Sequence, residues 1–334
     1  MMGLYRRQWN MTINKLDGHL CACGLFNKVI SSDGLPYKKL EPDAFYDKFF
    51  ATGEGFGKIN LAAFDEGGVI GFVSVSYREG ADTGFITFIA VDTEYRRRGA
   101  ASKLLKAAEE ACRTENASIT QFRIGFQNPV NLEWFIPDAG FHDHPNAPGV
   151  GLGSAAHKFF LASGYEDCAV QDSFYRDISD YVLSDDIAET LDDLREKGVT
   201  VCFFDAERHG GLAELCDDLK SEDWRFHILG NWDKEKPEPM LVIAKDGKAA
   251  GFAGPLRVQD SGRGFFAGIA IHSEFRGMGA GKALFAALCL CFKEMGAGFM
   301  TLFTARDNFT RNIYIAAGFK VVANWVNMRK DCGM

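Results

Sequence analysis

A chain of 334 residues with only 9 prolines and no long apolar run leaves several kinds of protein out of consideration. Its longest apolar stretch, Ala283 to Phe292, is closed on both sides by Lys282 and Lys293. A membrane-spanning helix needs ~18 such residues, so no membrane partner is expected. The nine cysteines form no CxxC pair, and no HExxH occurs. The close pairs Cys21/Cys23 and Cys289/Cys291 are spaced too tightly for a zinc clamp. No metal is therefore expected, and the thiols read as reduced ones in a cytoplasmic protein. An excess of basic charge is also missing, with 37 Lys+Arg against 45 Asp+Glu and a net charge of -8. That balance argues against a nucleic-acid partner held by phosphate neutralisation. The first residues, MMGLYRRQWN, have no apolar stretch behind them and are not read as a secretory signal. What the chain does have is aromatic bulk: 29 Phe, 9 Tyr and 5 Trp. A domain usually holds ~100–200 residues, so the length favours two.

Sliding the sequence along itself tests that division. An offset of 180 residues carries Gly71-Phe72 onto Gly251-Phe252, Arg96 onto Arg276, Gly99 onto Gly279 and Leu104 onto Leu284. Further on the match resumes at an offset of 154, with Gly164-Tyr165 falling on Gly318-Phe319. The first copy therefore holds 26 extra residues, within about Pro129 to Ser154. An insertion of that kind on a repeated scaffold shapes a pocket or an interface. The chain reads as an N-terminal repeat over 1–178, a connecting helix or linker over 179–198, and a C-terminal repeat over 199–334. In the linker, Ser184 to Lys197 has acids first and bases last, the pattern of a capped helix.

Each repeat reads as strand, turn, strand, helix, strand, helix, strand, an α/β (α+β) class. In the second, Met240–Ala244 and Ala249–Ala253 are strands around an Asp246-Gly247 turn, and Phe265–Ile271 is the next strand. Leu284, Phe285, Leu288, Cys291, Phe292 and Met295 recur at helical spacing, with Gly296 closing the helix. This helix is apolar nearly all round, so its outer face should be covered, by the other repeat. The equivalent helix of the first copy uses Leu104, Leu105, Ala108 and Cys112, and shows Lys103, Lys106, Glu109 and Glu110 as a polar face. Phe299–Thr304 reads as a strand and Asn312–Ala317 as a short helix.

The strongest motif is a strand, four residues, then Arg-x-x-Gly-x-Gly/Ala opening a helix. It runs Arg276-Gly277-Met278-Gly279-Ala280-Gly281 in one copy and Arg96-Arg97-Arg98-Gly99-Ala100-Ala101 in the other. The first backbone N–H groups of a helix have no intrahelical acceptor, and with the helix dipole they suit a pyrophosphate. Glycines there remove Cβ atoms that would keep phosphate oxygens away. Neither copy shows the spacing of a dinucleotide fingerprint, nor an acid ~20 residues on.

The segments from Ala90 to Gly99 and from Ala270 to Gly279, with Asn308, Asn312, Tyr314 and Gly318-Phe319, resemble the acetyl-CoA signature of the GCN5-related N-acetyltransferases (GNAT). The resemblance spans about residues 60–176 and 240–330. It implies two tandem GNAT-like repeats, each a mixed, mostly antiparallel sheet flanked by helices, with the fourth and fifth strands splayed apart. It further implies acetyl-CoA as cofactor, held by Ile269, Ala270 and Ile271, by Arg276, Gly277, Met278, Gly279, Ala280 and Gly281, and by Asn308 and Asn312. The first copy would offer Ile89, Ala90 and Val91 with Arg96, Arg97, Arg98, Gly99, Ala100 and Ala101. Tyr314 would be the catalytic acid beside the thiolate. The acceptor implied is a small-molecule or peptide amine, with a homodimer as an option. A non-catalytic acyl-CoA sensor or scaffold, and an aminoacyl-tRNA-dependent transferase of the same fold, stand as alternatives.

The first copy has Phe160 where the second has Tyr314, and Ala101 where the second has Gly281, so the chemistry is expected in the second. An amine with pKa ~10.4 is almost wholly protonated at pH 7, so a base is needed. No acid lies in Phe265–Ile271 or in Phe85–Val91. Asp260, Glu222, Asp223 and His227 are base candidates by position alone. His142, His144 and His157, in and beside the insertion, are not spaced as metal ligands.

Overall fold

The structure is a computed structural model that describes residues 11–66 and 68–333. Gly67 and the N-terminal stretch read against a secretory signal lie outside the described residues. The chain begins with β1 (Thr12–Lys15), α1 (His19–Asp33), α2 (Pro42–Phe49), β2 (Phe56–Asp65), β3 (Gly68–Arg78), β4 (Thr83–Val91), α3 (Ala100–Glu115) and β5 (Gln121–Ile124). Short strands β6 (Trp134–Phe135), β7 (Asp143–His144) and β8 (Val150–Gly151) follow, then α4 (Ala155–Ala162) and β9 (Glu166–Asp177). The connector is α5 (Asp185–Glu196), ahead of β10 (Val199–Phe203), α6 (Leu212–Leu219), α7 (Glu222–Trp232), β11 (Leu241–Lys245), β12 (Lys248–Val258) and β13 (Arg263–Ile271). The chain closes with α8 (Ala280–Glu294), β14 (Phe299–Ala305), α9 (Arg311–Ala316) and β15 (Lys320–Asp331). No helix among the described residues is long and apolar enough to cross a membrane.

The chain divides into two compact units, one of Met1–Gln171 with Ala323–Met334 and the other of Asp172–Val322. These units do not follow the repeat boundary expected at residues 178–199, because the two long strands β9 and β15 each change unit midway. In unit 1 the sheet order is β1-β2-β3-β4-β5-β15. The last pairing runs from Met328↔Ile124 to Asp331↔Gln121, antiparallel. The final strand of the second repeat therefore completes the sheet of the first, with Trp325, Val326 and Met328 almost wholly buried there. In unit 2 the order is β10-β11-β12-β13-β14-β9, with residues 172–177 of β9 belonging to this unit.

Local sequence explains the elements that position the turn motif. In α3, Leu104, Leu105, Ala108 and Cys112 recur on one helical face and are all buried against β2, β3 and β4. Glu109, expected on the polar face, is itself buried: it accepts from Tyr165 Oη at 2.8 Å and from Lys330 Nζ at 2.7 Å. A buried carboxylate holds its place only with such partners. In α8, Leu284, Phe285, Leu288, Cys289 and Phe292 are fully buried, each large side chain contributing ~1.5–3 kcal/mol. The outer face of α8 is covered by the connector: Ile187 and Leu194 of α5, with Leu191, belong to the same core. The expectation that the other repeat covers that face is replaced by a cover within unit 2. Ser184 precedes α5 as expected, but its side chain makes no capping bond.

The 26-residue insertion is ordered. Phe135 N donates to Pro36 O at 2.8 Å and Lys38 N to Glu133 O at 2.9 Å. Trp134 is buried and meets the Trp325 ring edge-on at 5.1 Å, and β8 pairs with β15 within unit 1. All nine cysteines are free. Burial pushes the Cys112, Cys289 and Cys291 thiols up, the last to about 11, so they act as small apolar groups.

Candidate functional site

In both units the strand before the turn motif parts from its parallel neighbour. β13 pairs with β14 only at Arg263↔Phe299 and Gly264↔Met300. On its other side β13 stays paired with β12 from Val258↔Gly264 to Gly251↔Ile271. One edge of β13, including Ile269, Ala270 and Ile271, thus has no strand partner beyond Gly264 among the described residues. In unit 1, β4 and β5 pair at Thr83↔Gln121, Gly84↔Phe122 and Phe85↔Arg123, then part in the same way. Ile89, Ala90 and Val91 lie beyond the parting.

The turn that follows has one backbone course in both copies. A single 3-10 turn, Thr93–Tyr95 or Ser273–Phe275, leads into an N-cap glycine in the left-handed region, Gly99 at φ 83° and Gly279 at φ 81°. Two residues earlier the chain is again left-handed, at Gly277 with φ 81° and at Arg97 with φ 62°. A non-glycine residue at such a φ is strained, so the first copy keeps the course at a cost that Gly277 avoids. Helix α8 makes its first backbone bond from Ala283 N to Gly279 O at 3.1 Å, and α3 from Lys103 N to Gly99 O at 3.0 Å. The preceding amides, Met278 and Gly279 before α8 and Ala280 to Lys282 in its first turn, have no backbone acceptor among the described residues and suit an acceptor such as a phosphate oxygen.

The glycines do separate jobs. A Cβ on Gly277 would meet nothing within 4 Å, so this residue opens onto free space as a phosphate cradle requires. A Cβ on Gly279 would lie 2.8 Å from Thr190 Cγ2 of α5, and one on Gly281 would lie 3.0 Å from Ile313 Cδ1 of α9. Gly281 therefore also serves the packing of α9 on α8. The arginines also have structural work. Arg96 Nε donates to Val91 O at 2.8 Å, and its two terminal nitrogens grip Asp33 at 3.0 and 2.8 Å. Arg276 Nε donates to Ile271 O at 3.2 Å. Both tie the strand end to the turn. Arg98 lies over the Tyr95 ring at 5.8 Å.

An acid fixes the start of each turn, on the turn itself in unit 1 and on α6 in unit 2. In unit 1 Asp92 accepts from Lys28 Nζ at 2.7 Å. Burial alone would raise the Asp92 carboxyl, but Lys28 and the Glu94 amide hold it below the usual carboxylate range. In unit 2 His272 stands in that place and the acid sits on α6. Asp218 accepts from Ser273 N at 2.9 Å and Ser273 Oγ at 2.7 Å, and lies 3.7 Å from His272 Nε2. These serine bonds, ahead of His272 and Arg276, hold the Asp218 carboxyl low. Neither acid was legible as a partner, because the pairing depends on α1 and α6, elements that the repeat pattern does not show.

Tyr314 sits on α9, whose Ile313 touches the start of α8 as above. Its ring packs against Phe285 at 4.9 Å and Phe174 at 5.5 Å. The side chain is buried, burial pushes its hydroxyl pKa up, and the hydroxyl makes no hydrogen bond among the described residues. The hydroxyl is not among the enclosed unpartnered polar atoms of the described residues, so it stays accessible to a ligand. At the matching place in unit 1, Phe160 packs on the Tyr165 ring at 5.2 Å and carries no hydroxyl. Asn308 and Asn312 are exposed, and Asn308 Oδ1 accepts from Thr310 N at 2.9 Å to shape the loop before α9.

The base candidates are not gathered at the cleft. Asp260 is exposed in the turn before β13, at the far end of that strand from the glycines, and Glu222 and His227 are exposed on α7. The Asp223 side chain lies outside the described residues. What faces the middle of β13 is Trp224: a Cβ on Gly268 would lie 2.9 Å from its Nε1. At the matching place in unit 1, Phe88 joins Phe26, Phe49 and Phe72 at 4.9 to 6.3 Å. The three histidines of the insertion are structural where their contacts are known. His144 Nδ1 is bonded by Asn146 N at 3.0 Å, and His157 bridges Gly153 N at 3.1 Å and Asp167 at 2.9 Å. No group of three metal-ligating side chains occurs among the described residues.

Comparison with known proteins agrees with this geometry. The model of the Acetyltransferase (GNAT) family matches residues 26–134 and 204–319. No curated protein matches the chain. Among solved structures, a GCN5-related glucosamine N-acetyltransferase region in a fungal multi-domain GH3 beta-N-acetylglucosaminidase has a TM-score of 0.68 at 15% identity. It matches 96% of this chain, which in turn spans only 38% of that protein. A GCN5-related N-acetyltransferase from Sphaerobacter thermophilus has a TM-score of 0.62 at 14% identity, over 97% of each chain. A tandem GNAT protein from the clavulanic acid biosynthesis pathway has a TM-score of 0.57 at 15% identity, over 97% of this chain and 99% of the other. At such identities the likeness concerns the fold.

Proposed function

The chain belongs to the Acetyltransferase (GNAT) family, and on that premise we propose that it moves the acetyl group of acetyl-CoA to a primary amine, with the chemistry in unit 2. The observation that carries this reading is the coincidence, in unit 2 alone, of three features. They are the unpaired edge of β13, the open amide turn at Gly277, and a tyrosine hydroxyl on α9, whose Ile313 packs at the start of α8. The residues present fit acetyl-CoA: free amides suit its pyrophosphate, and the bare strand edge suits its amide-bearing pantetheine arm. Acetyl-CoA supplies an activated acyl group and a thiolate, pKa ~8.5, that leaves.

The protein's part is positioning and charge stabilisation. The amides from Met278 to Lys282 with the α8 dipole hold the phosphates. The β13 edge orients the thioester and offers a fixed N–H to its oxygen. Tyr314 keeps its proton at neutral pH, since a phenol (~10) is already a weaker acid than a thiol (~8.5) and burial raises it further. It therefore acts as a hydrogen-bond donor to the developing thiolate, without complete proton transfer. With no carboxylate on β13, the acceptor's proton leaves through water. Acceptors whose amine is partly neutral at pH 7 are favoured over lysine-like amines. Unit 1, with Phe160, keeps the turn and the splay without the hydroxyl, and serves as a non-catalytic copy. The protein acts in the cytoplasm, where nine free thiols persist.

The test is release of free thiol from acetyl-CoA over a panel of small amines, amino acids and peptide N-termini. Turnover with any of them, lowered ~10²-fold or more in Tyr314→Phe, supports the reading. Acetyl-CoA binding without turnover on any amine would favour an acyl-CoA sensor instead.

A further inference from the structure

We propose that unit 1 carries a second ligand site, for a small organic acid with a flat apolar body, at the foot of β4. The site is a cavity of about 200 Å³ lined by Phe85, Phe126, Gln127, Asn327, Arg123 and Arg329. A second hollow of about 460 Å³ adjoins it, sharing Phe85 and Gln127 and adding Phe56, Tyr77, Arg78 and Asp82. Both lie at the start of β4, the opposite end of that strand from its glycine turn. They open where β4 and β5 part after Phe85↔Arg123, away from the glycine turn.

The argument is electrostatic. Arg123 and Arg329 are direct partners across the antiparallel β5–β15 pairing, so both side chains project from one face of the sheet. Such partners have Cβ atoms ~4.5–5.5 Å apart, and like charges there repel. Local compensation is partial. Arg329 Nε reaches Asp331, which is largely exposed, at 3.2 Å. Arg123 Nε is spent on the neutral Gln121 Oε1 at 2.9 Å, and Arg123 makes no ion pair among the described residues. The exposed Asp82 accepts from Thr83 Oγ1 at 2.7 Å and Gln121 Nε2 at 3.3 Å and offsets Arg123 only from a distance. Arg78, over the Phe56 ring at 5.8 Å, adds a third guanidinium to the groove. Two guanidinium groups facing one hollow form a fork for a carboxylate or a phosphate, and they bind it in place of their mutual repulsion. The ring walls of Phe85, Phe126 and Phe56 supply the apolar surface that the body of the ligand covers.

Calorimetry on the full chain at low salt tests this, with benzoate and phenyl phosphate as probes and benzamide as the neutral control. At least one acid should bind tenfold or more tightly than benzamide, and which acid binds identifies the head group. Arg123→Gln and Arg329→Gln should each weaken it about tenfold, while Arg97→Asp, in the turn of the same unit, leaves it unchanged, separating this site from the cofactor turn. Without ligand, Arg329→Gln should melt at the same temperature or higher, because a repulsion has been removed. Benzamide binding as tightly as both acids would overturn the proposal. So would absence of binding by either acid, retained affinity in the double variant, or a lowered melting temperature in Arg329→Gln.

Discussion

The two units start from one sequence pattern and end with different contents in the same places. Where unit 2 has Gly277, unit 1 forces Arg97 into a left-handed turn. Where unit 2 has the Tyr314 hydroxyl, unit 1 has Phe160. Where unit 2 leaves Gly268 under a tryptophan indole, unit 1 sets Phe88 in a phenylalanine cluster. The backbone course survives all three changes, which shows that turn geometry and chemistry are separable. The turn is fixed by its own φ angles and by an arginine on the strand-end carbonyl. Reactivity depends on a single hydroxyl and on open space beside the strand.

The largest way to break the comparison is to remove what unit 1 borrows from the far end of the chain. Deleting residues 323–334 takes Trp325, Val326 and Met328 out of unit 1. Losing large buried residues costs ~2–5 kcal/mol each, comparable to the ~5–15 kcal/mol of a whole domain. Proteolysis should then cut unit 1 while unit 2 resists, and equal resistance of both would contradict the shared-strand arrangement. Next in size, Tyr314→Phe should lower turnover ~10²-fold with acetyl-CoA affinity unchanged, and Phe160→Tyr should not restore it.

Smaller effects sharpen the picture. Turnover should rise with pH up to the acceptor amine's own pKa, since no base on β13 removes the proton earlier. A plateau near pH 7 with a lysine-like acceptor would reveal a base that β13 does not carry. Smallest is the acid behaviour of the two turns. The carboxyls of Asp92 and Asp218 are both depressed in the folded protein. Their contribution is therefore present above the unfolded value, ~3.9, and lost as pH falls below it. Asp92→Asn and Asp218→Asn should each flatten that acid limb of the melting profile.

The duplication and the turn were legible because glycine, arginine and apolar alternation at fixed spacing are local signals, whereas the splay came only through the family resemblance. The same spacing gave β13 and α8 nearly to their ends. What was not legible is long-range. That β9 and β15 change unit midway depends on pairing partners distant in sequence. The burial of Glu109 depends on Tyr165 and Lys330, and no periodicity of α3 reveals them. Gly281 looked like a ligand-facing glycine, but its missing Cβ also makes room for Ile313, because α9 returns over the helix start. The cover of α8 was expected from its all-round apolarity, but its source in α5 depends on the fold of the connector.

The account rests on unit 2 as the working copy. Thiol release from acetyl-CoA with the best amine of the panel, measured for Gly277→Asp and Arg97→Asp, tests this most directly. Both variants put a carboxylate at one turn position: Gly277 has open space around it, and Arg97 shows that a side chain is tolerated there. The prediction is at least a tenfold loss in Gly277→Asp and near-normal release in Arg97→Asp. Retained release in Gly277→Asp with loss in Arg97→Asp would move the chemistry to unit 1 and contradict the account.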